Sequence, residues 1–486
     1  MGKLLNGRNA TLFVGVLIVW RLYLSASLQL HPDEAYYWLW SRNLDLGYFD
    51  HPPLVAYCIW LTTLFSKSEL WVRFSGTLVS LVLSGLIWHL ALQLFKNVQV
   101  AAGSVVLFNV LPLTTMGLVV ITPDTPVLLF WSMGVYFFWQ TLRGEQPWRW
   151  YALGVALGMA LLSKYTAILL LPSLLVYLVL TDDRRWLKTT YPYRAVLIGF
   201  LCFMPVLYWN SQHDWVSFTF QLKNGLNGEG YTLAKVGEYL GGQLLIIGPV
   251  AWTVGIWAAV VGVFRKDRKT LLLACTSLPV IAFFALSSFK KAAAPNWPAF
   301  AYVTLCILVA QYCLGDAAGK RRWLWSAAFV TSLLLSALTS LHARFNVIPL
   351  DRYSKDMVTA DATNYFYGWR EVAAELSKYP DMRFAVTPSH QLSAEIIYYT
   401  DSNVVANTAR MARPSQFNLW SRYNDLPRGE GLYVWTDIDF IGHNGDYFAS
   451  PERSDLLSIV RDGKVVRKLH FSSAQPASLP HPFSAH

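Results

Sequence analysis

Up to about residue 342, apolar residues run in blocks too long and too unbroken for one face of a water-soluble helix, and short basic turns separate the blocks. A membrane span needs about 20 predominantly apolar residues. That length predicts helices near 10–30, 69–95, 100–121, 126–142, 194–210, 242–263, 270–288, 297–314 and 323–342. Leu54 to Phe65 is too short to span and reads as an interface-lying or re-entrant helix. Tyr151 to Leu180 is too long for one straight helix, and Ser163-Lys164-Tyr165 places a charge inside it, so two short helices are expected to meet there. The sum is about eleven transmembrane helices. Beyond His342 the pattern changes: helix-like WREVAAELSKY and SAEIIYY alternate with strand-like RFAVT, NVVA and GLYVW. The expected organisation is a mainly α, polytopic membrane domain over 1–342 followed by a small soluble α/β domain over 343–486.

Composition agrees with the pattern: 54% of the 486 residues are hydrophobic and 14% charged, too few charges for a water-exposed globule. The content of Trp (21), Tyr (25) and Phe (27) excludes disorder and suits membrane interfaces. The net charge of +10 sits in short clusters between apolar blocks and forms no continuous stripe, which argues against a nucleic-acid partner. With the helix pair at Lys164, the clusters Arg184-Arg185-Lys188, Arg265-Lys266-Arg268-Lys269 and Lys320-Arg321-Arg322 fall on one side, together with Lys3, Arg8, Lys96, Arg143 and Arg149. That side is expected to be the cytoplasm, with a cytoplasmic amino terminus, an uncleaved first span and the carboxyl domain outside. The cysteines, Cys58, Cys202, Cys275, Cys306 and Cys313, are odd in number and show no disulfide or zinc spacing.

This orientation brings the loops 31–68, 122–126 and 288–298 to the outer face, and the chemistry-bearing residues lie in them. Asp33 and Glu34 follow the first span directly and precede an aromatic-rich, interfacial helix. A carboxylate beside lipid is desolvated and can be tuned toward accepting a proton. Helix capping after Pro32 is the alternative for Asp33. Asp124 is confined between Pro123 and Pro126 in a short turn, with capping of the following helix as its alternative. Lys164, Lys290 and Lys291 stand on the outer face against the positive-inside trend and suit a phosphate, or else snorkel to headgroups. His51 and His213 are candidate ligands or proton carriers without metal-binding spacing. Asp50, Tyr165, Asn296 and Trp297 are further site candidates. Arg21 and Arg73, within or beside spans, call for buried acidic partners.

HPDEAYYWLW and GYFDHPPLVA in the first outer loop, TPDTP in the second, LLSKYTAILLLP and APNWPAFAY together resemble the GT-C membrane glycosyltransferases. The similarity is to the protein O-mannosyltransferase-like group, which includes the bacterial lipid A aminoarabinose transferases. It covers most of the membrane part, and GWREVAAEL and RPSQFNLW in the tail look like bacterial members. The resemblance implies inverting transfer of a sugar from a polyprenyl-phosphate donor to an envelope acceptor, such as lipid A, another glycan, a lipid or a protein. The implied location is the outer side of the bacterial inner membrane. It puts Asp33 at the catalytic acid-base position, with Glu34, Asp124 and Lys164 as neighbours shaping the acceptor and phosphate sites. It assigns no cofactor, and a divalent metal stays open. No Walker or GxGxxG loop is present, consistent with a donor that is not a nucleotide.

A lipid or glycan transporter or flippase is the competing class. Such proteins place acids near the midplane and carry inverted repeats, whereas here the acids gather at one interface and no repeat is visible. A non-catalytic scaffold would need neither Asp33 nor Asp124 in confined positions.

Overall fold

A computed structural model describes residues 5–144, 146–226, 232–265, 267–291, 293–315, 319–382, 384–400, 405–408, 413–420, 431–437 and 455–474. Lys3, Lys266, Arg383 and the first part of NVVA therefore lie outside the described residues. The chain divides into two compact units, one of residues 1–26 and 44–340, the other of residues 27–43 and 341–486.

The first unit is helical, and its helices are inside out relative to those of a soluble protein. On Gly7–Ser27 the exposed positions are Leu12, Val16 and Val19, while Ala10, Val14, Ile18 and Arg21 face inward. Arg322–Phe345 turns Trp323 and Leu334 outward and buries Ser332 and Ser336 one turn apart. These hydroxyls donate to backbone carbonyls of other segments, Ser332 to Ile247 at 2.9 Å and Ser336 to Val110 at 2.6 Å. Apolar surface outward and polar glue inward is the arrangement that lipid solvent selects. The tightest helix pair, Trp148–Ser163 against Tyr191–Gln212, depends on small residues. A Cβ on Gly154 would lie 2.5 Å from the Ala195 carbonyl oxygen, and one on Gly158 2.3 Å from the Cys202 Cβ.

Five helices are long and apolar enough to cross a membrane: Gly7–Ser27, Glu69–Phe95, Tyr191–Gln212, Arg268–Ser287 and Arg322–Phe345. Counting two bent pairs as single spans raises the number to seven among the described residues, so the count of about eleven is not carried by unbroken helices. The apolar blocks are interrupted by residues that break backbone hydrogen bonding. Pro112 divides 98–117 into Val98–Val110 and Pro112–Gly117. The expected single span 242–263 is instead Leu233–Ile247 and Pro249–Arg265, bent by 106° at Gly248, whose φ of +94° favours glycine. At Ser163-Lys164-Tyr165 the helix breaks as the charge pattern suggests: Trp148–Ser163 ends, Lys164 is extended, and a 3₁₀ turn at Tyr165–Leu169 leads into Leu170–Leu180. The expected acidic partner of Arg21 is replaced by neutral groups. Its guanidinium donates to Ser80 Oγ at 2.5 Å, Asn109 Oδ1 at 3.0 Å and the Asn109 carbonyl at 2.8 Å. Arg73 donates to the Ser25 carbonyl at 3.2 Å.

The second unit is built on a mixed sheet of β1 (Phe384–Thr387), β2 (Val405–Thr408), β3 (Gly431–Thr436), β4 (Asp455–Arg461) and β5 (Lys464–Ala474), in the order β2-β1-β3-β5-β4. β1 pairs in parallel with β2 and β3, and β5 runs antiparallel to β3 and β4. The β4–β5 hairpin was not among the expected strands. It closes on Asp462-Gly463, both with positive φ (51° and 77°), as a two-residue primed turn requires. Helices Trp369–Leu376 and His390–Tyr399 correspond to the two helix-like segments.

Residues 27–43 belong to this unit even though they adjoin the first span in sequence. Helix Pro32–Ser41 packs on His390–Tyr399, with the Tyr36 ring 4.5 Å from His390 and stacked on Phe417 at 6.1 Å. Tyr36, Tyr37, Trp38 and Trp40 are all buried, so the aromatic run that reads as interfacial is core. An aromatic cluster signals a large apolar surface without saying whether lipid or protein covers it.

Candidate active site

Asp33 and Glu34 stand side by side in sequence and do different work. The N-cap of Pro32–Ser41 is His31, whose Nδ1 accepts from the Asp33 amide at 3.2 Å. Glu34 completes the capping box, its Oε2 accepting from the His31 amide at 2.9 Å, and the residue is fully buried. The cap therefore occupies His31 and Glu34 and leaves the Asp33 carboxylate for other partners. Gln391 Nε2, from the first turn of His390–Tyr399, donates to Asp33 Oδ1 at 2.9 Å. The Asp33 side chain keeps 39% of its surface exposed, and His31 Nδ1 lies 3.9 Å from its other oxygen. A carboxylate held by one side-chain amide, in the first turn of a helix and open on one side, is positioned to accept a proton. Gln391 was not among the expected residues. Nothing local marks it, because its contact spans 358 positions of sequence.

In the first unit Asp124 opens helix Asp124–Arg143 and its side chain caps nothing. Lys164 Nζ donates to Asp124 Oδ1 at 2.6 Å, and Asn296 Nδ2 donates to Oδ2 at 2.8 Å. The pair is nearly enclosed, with the Lys164 and Asp124 side chains 10% and 13% exposed. The break after Ser163 is what brings the Lys164 ammonium to Asp124, because a continuous helix would carry it past. Lys164 is thus charge-compensated, in a Lys164-Asp124-Asn296 triad that presents little net charge.

Neighbouring contacts extend this triad into a continuous rim. Tyr165 shares a hydrogen bond with Ser217 at 2.7 Å. The segment 209–221 in turn holds the loop 44–53: Trp209 Nε1 donates to Asp45 Oδ2 at 2.8 Å, Gln221 Nε2 to the Asp50 carbonyl at 2.5 Å, and Phe49 meets Phe220 at 5.1 Å. Asp45, also not anticipated, further binds Tyr57 through its carbonyl at 2.7 Å. Burial pushes the Tyr48 hydroxyl well above the usual phenol range, and it remains protonated while accepting from the Asp45 amide at 3.1 Å.

The remaining candidates make the following local contacts. His213 lies flat on Trp209 at 4.1 Å with Nδ1 2.8 Å from the Trp209 carbonyl, a helix-end contact. The carbonyl of His51 accepts from the Tyr48 amide at 3.2 Å, and Asp50 is buried. Trp297 packs edge-on against Phe284 at 5.9 Å. Among the described residues no group of three or more His, Cys, Asp or Glu is placed to hold a metal ion. Lys290 and Lys291 follow helix Leu278–Ser287 in the loop that also carries Asn296, and Lys235 Nζ reaches the Lys290 carbonyl at 3.1 Å. A third lysine, unnoticed in the sequence, thereby joins that loop.

Residues 50–209, which include Asp50, His51, Asp124, Lys164 and Tyr165, match the dolichyl-phosphate-mannose-protein mannosyltransferase family. The lipid A galacturonosyltransferase RgtD of Rhizobium johnstonii is 24% identical over 86% of this chain and 85% of its own. The undecaprenyl phosphate-alpha-4-amino-4-deoxy-L-arabinose arabinosyl transferase 2 of Proteus mirabilis is 24% identical over 60% of this chain and 56% of its own. The crystal structure of ArnT from Cupriavidus metallidurans bound to undecaprenyl phosphate superposes with a TM-score of 0.66 at 16% identity, covering 97% of this chain and 99% of ArnT. This chain has the GT-C fold and is related to the lipid A sugar transferases. Its helical membrane part with a small carboxyl-terminal sheet is that architecture, and the chain is a multi-pass membrane protein.

Proposed function

We propose that this GT-C protein transfers a sugar from a polyprenyl-phosphate donor to lipid A at the outer face of the bacterial inner membrane. The observation that carries the reading is the similarity to RgtD, 24% identity over 86% of this chain and 85% of that enzyme. The geometry supports it residue by residue. Asp33, released from capping by His31 and Glu34 and held by Gln391, takes the proton of the acceptor hydroxyl as its oxygen bonds to the anomeric carbon. The bond from that carbon to the phosphate oxygen breaks with inversion, and the polyprenyl phosphate leaves as an anion. Lys290 and Lys291, with Lys235 reaching their loop from helix Leu233–Ile247, stabilise the departing charge. Lys164, Asp124 and Asn296 supply hydrogen-bonding groups for sugar hydroxyls and not the phosphate counter-charge. The amino terminus is cytoplasmic and the carboxyl unit outside, an orientation supported by the basic clusters.

The test is transfer by the purified protein from a defined polyprenyl-phosphate sugar, read by mass spectrometry of lipid A, next to the lipid A profile of a deletion strain. An unchanged profile in the deletion strain, together with sugar on a different envelope acceptor, would overturn lipid A as the acceptor. Passage of donor lipid across sealed vesicles without bond cleavage would favour a transporter.

A further inference from the structure

We infer that a cleft at the opposite end of the helical unit from Asn296 is a binding site for the phosphodiester headgroup of an anionic phospholipid. The cleft, about 100 Å³, is lined by Arg265, Arg321, Gln311, Tyr312, Val261 and Leu308, among others. It lies where spans end. Arg265 is the last residue of helix Pro249–Arg265, Gln311 and Tyr312 lie in the last turn of Tyr302–Leu314, and Arg321 immediately precedes Arg322–Phe345. Asn296 precedes the amino-terminal end of Tyr302–Leu314, and that helix rises about 20 Å at about 1.5 Å per residue. The cleft and the Asp124 triad therefore sit toward opposite ends of that helix, and the cleft is no extension of the donor site.

Its chemistry is that of an anion seat with an apolar wall. Two guanidinium groups line it and no acidic residue does among those described. Asp267, a nearby acid among the described residues, is turned to Thr270, accepting from its amide and its hydroxyl at 3.1 Å each. Arg321 lies 4.4 Å over the Tyr312 ring, whose hydroxyl accepts from Trp257 Nε1 at 3.0 Å, so the ring that carries the guanidinium is itself anchored. The Gln311 side-chain oxygen is buried and has no hydrogen-bond partner among the described residues, so it can accept from a headgroup hydroxyl. Trp257 and Phe264 are exposed along the same helix, 57% and 81%, giving acyl chains an apolar surface beside the headgroup. Basic pockets between spans at headgroup level are the places where anionic lipids are held most firmly.

The experiment uses the full-length protein purified in mild detergent and native mass spectrometry, with phosphatidylglycerol, phosphatidylcholine or inorganic phosphate added separately. Wild type is expected to retain one phosphatidylglycerol. An Arg265→Gln/Arg321→Gln double variant should retain at least about tenfold less, since two charge-assisted contacts are lost. The single variant Arg265→Gln, at an exposed side chain, should fall between the two and guards against misfolding of the double variant. Phosphatidylcholine should be retained weakly and equally by all three proteins. Equal retention of phosphatidylglycerol by wild type and Arg265→Gln, or equal retention of the two lipids by wild type, would overturn the proposal. Displacement of the lipid by millimolar phosphate would overturn the lipid source and leave a free-anion site.

Discussion

Replacing Lys164 by Met removes the cation from a carboxylate that is 13% exposed and leaves Asp124 with Asn296 as its remaining side-chain donor. At 2.6 Å and an effective dielectric of about 20, the Coulomb attraction of the pair is about 6 kcal/mol before desolvation is subtracted. Removing one partner of such an enclosed pair costs about 3 to 5 kcal/mol, because the other charge stays buried without compensation. Asp124→Asn should cost less, since the amide keeps the shape of the carboxylate and a carbonyl oxygen to which the Lys164 ammonium can donate. The double variant Asp124→Asn/Lys164→Met removes both charges and should recover most of the loss, a coupling of about 2 to 3 kcal/mol. The assay is reversible unfolding in mixed micelles titrated with sodium dodecyl sulfate, run beside sugar transfer. Recovered stability with transfer still abolished is expected, because the triad both holds the Lys164 break and offers polar groups to the sugar. Additive losses, with coupling below about 0.5 kcal/mol, would refute the ion pair as an energetic unit. Full transfer by the stable double variant would remove the triad from the sugar site.

Asp33→Asn should lower turnover by a factor of about 10² to 10⁴ with an unchanged size-exclusion profile, because His31 and Glu34 keep the cap; near-normal turnover would end the general-base reading. Glu34→Ala should act on stability instead, costing about 1 kcal/mol as the capping box opens, with a smaller effect on the turnover of folded protein than Asp33→Asn. Lys290→Ala/Lys291→Ala should raise the donor concentration needed for half-maximal rate and leave acceptor dependence nearly unchanged; superimposable donor curves would sink the phosphate assignment. A cysteine placed at the exposed Ser377 should be labelled by an impermeant reagent from outside intact spheroplasts and one at Gly319 should not, and the reverse pattern would invert the orientation.

Part of the site was legible because its residues violate local expectation. An acid pair at the end of a span, an aspartate between prolines and a lysine inside an apolar run each cost free energy near lipid, so their presence alone marks them. Gln391, Asp45 and Lys235 carry no such mark. A glutamine and a lysine near helix starts and an aspartate in a loop are ordinary where they stand, and only their partners make them notable.

By itself the sequence determined that the chain lies in a membrane, that a small α/β part follows, and that the Tyr151–Leu180 run breaks at Lys164. These depend on transfer free energies and local backbone preferences, which act within about 20 residues. Only the tertiary structure decided that Asp33 is free of the cap and held by Gln391, that Lys164 is matched by Asp124, that the Arg21 terminal nitrogens bond neutral groups, and that the aromatic run after Pro32 is core. Each of these turns on which group fills a hydrogen bond or covers an apolar face across tens to hundreds of residues. A buried polar group needs a partner, and its own sequence neighbourhood states the need without naming who meets it.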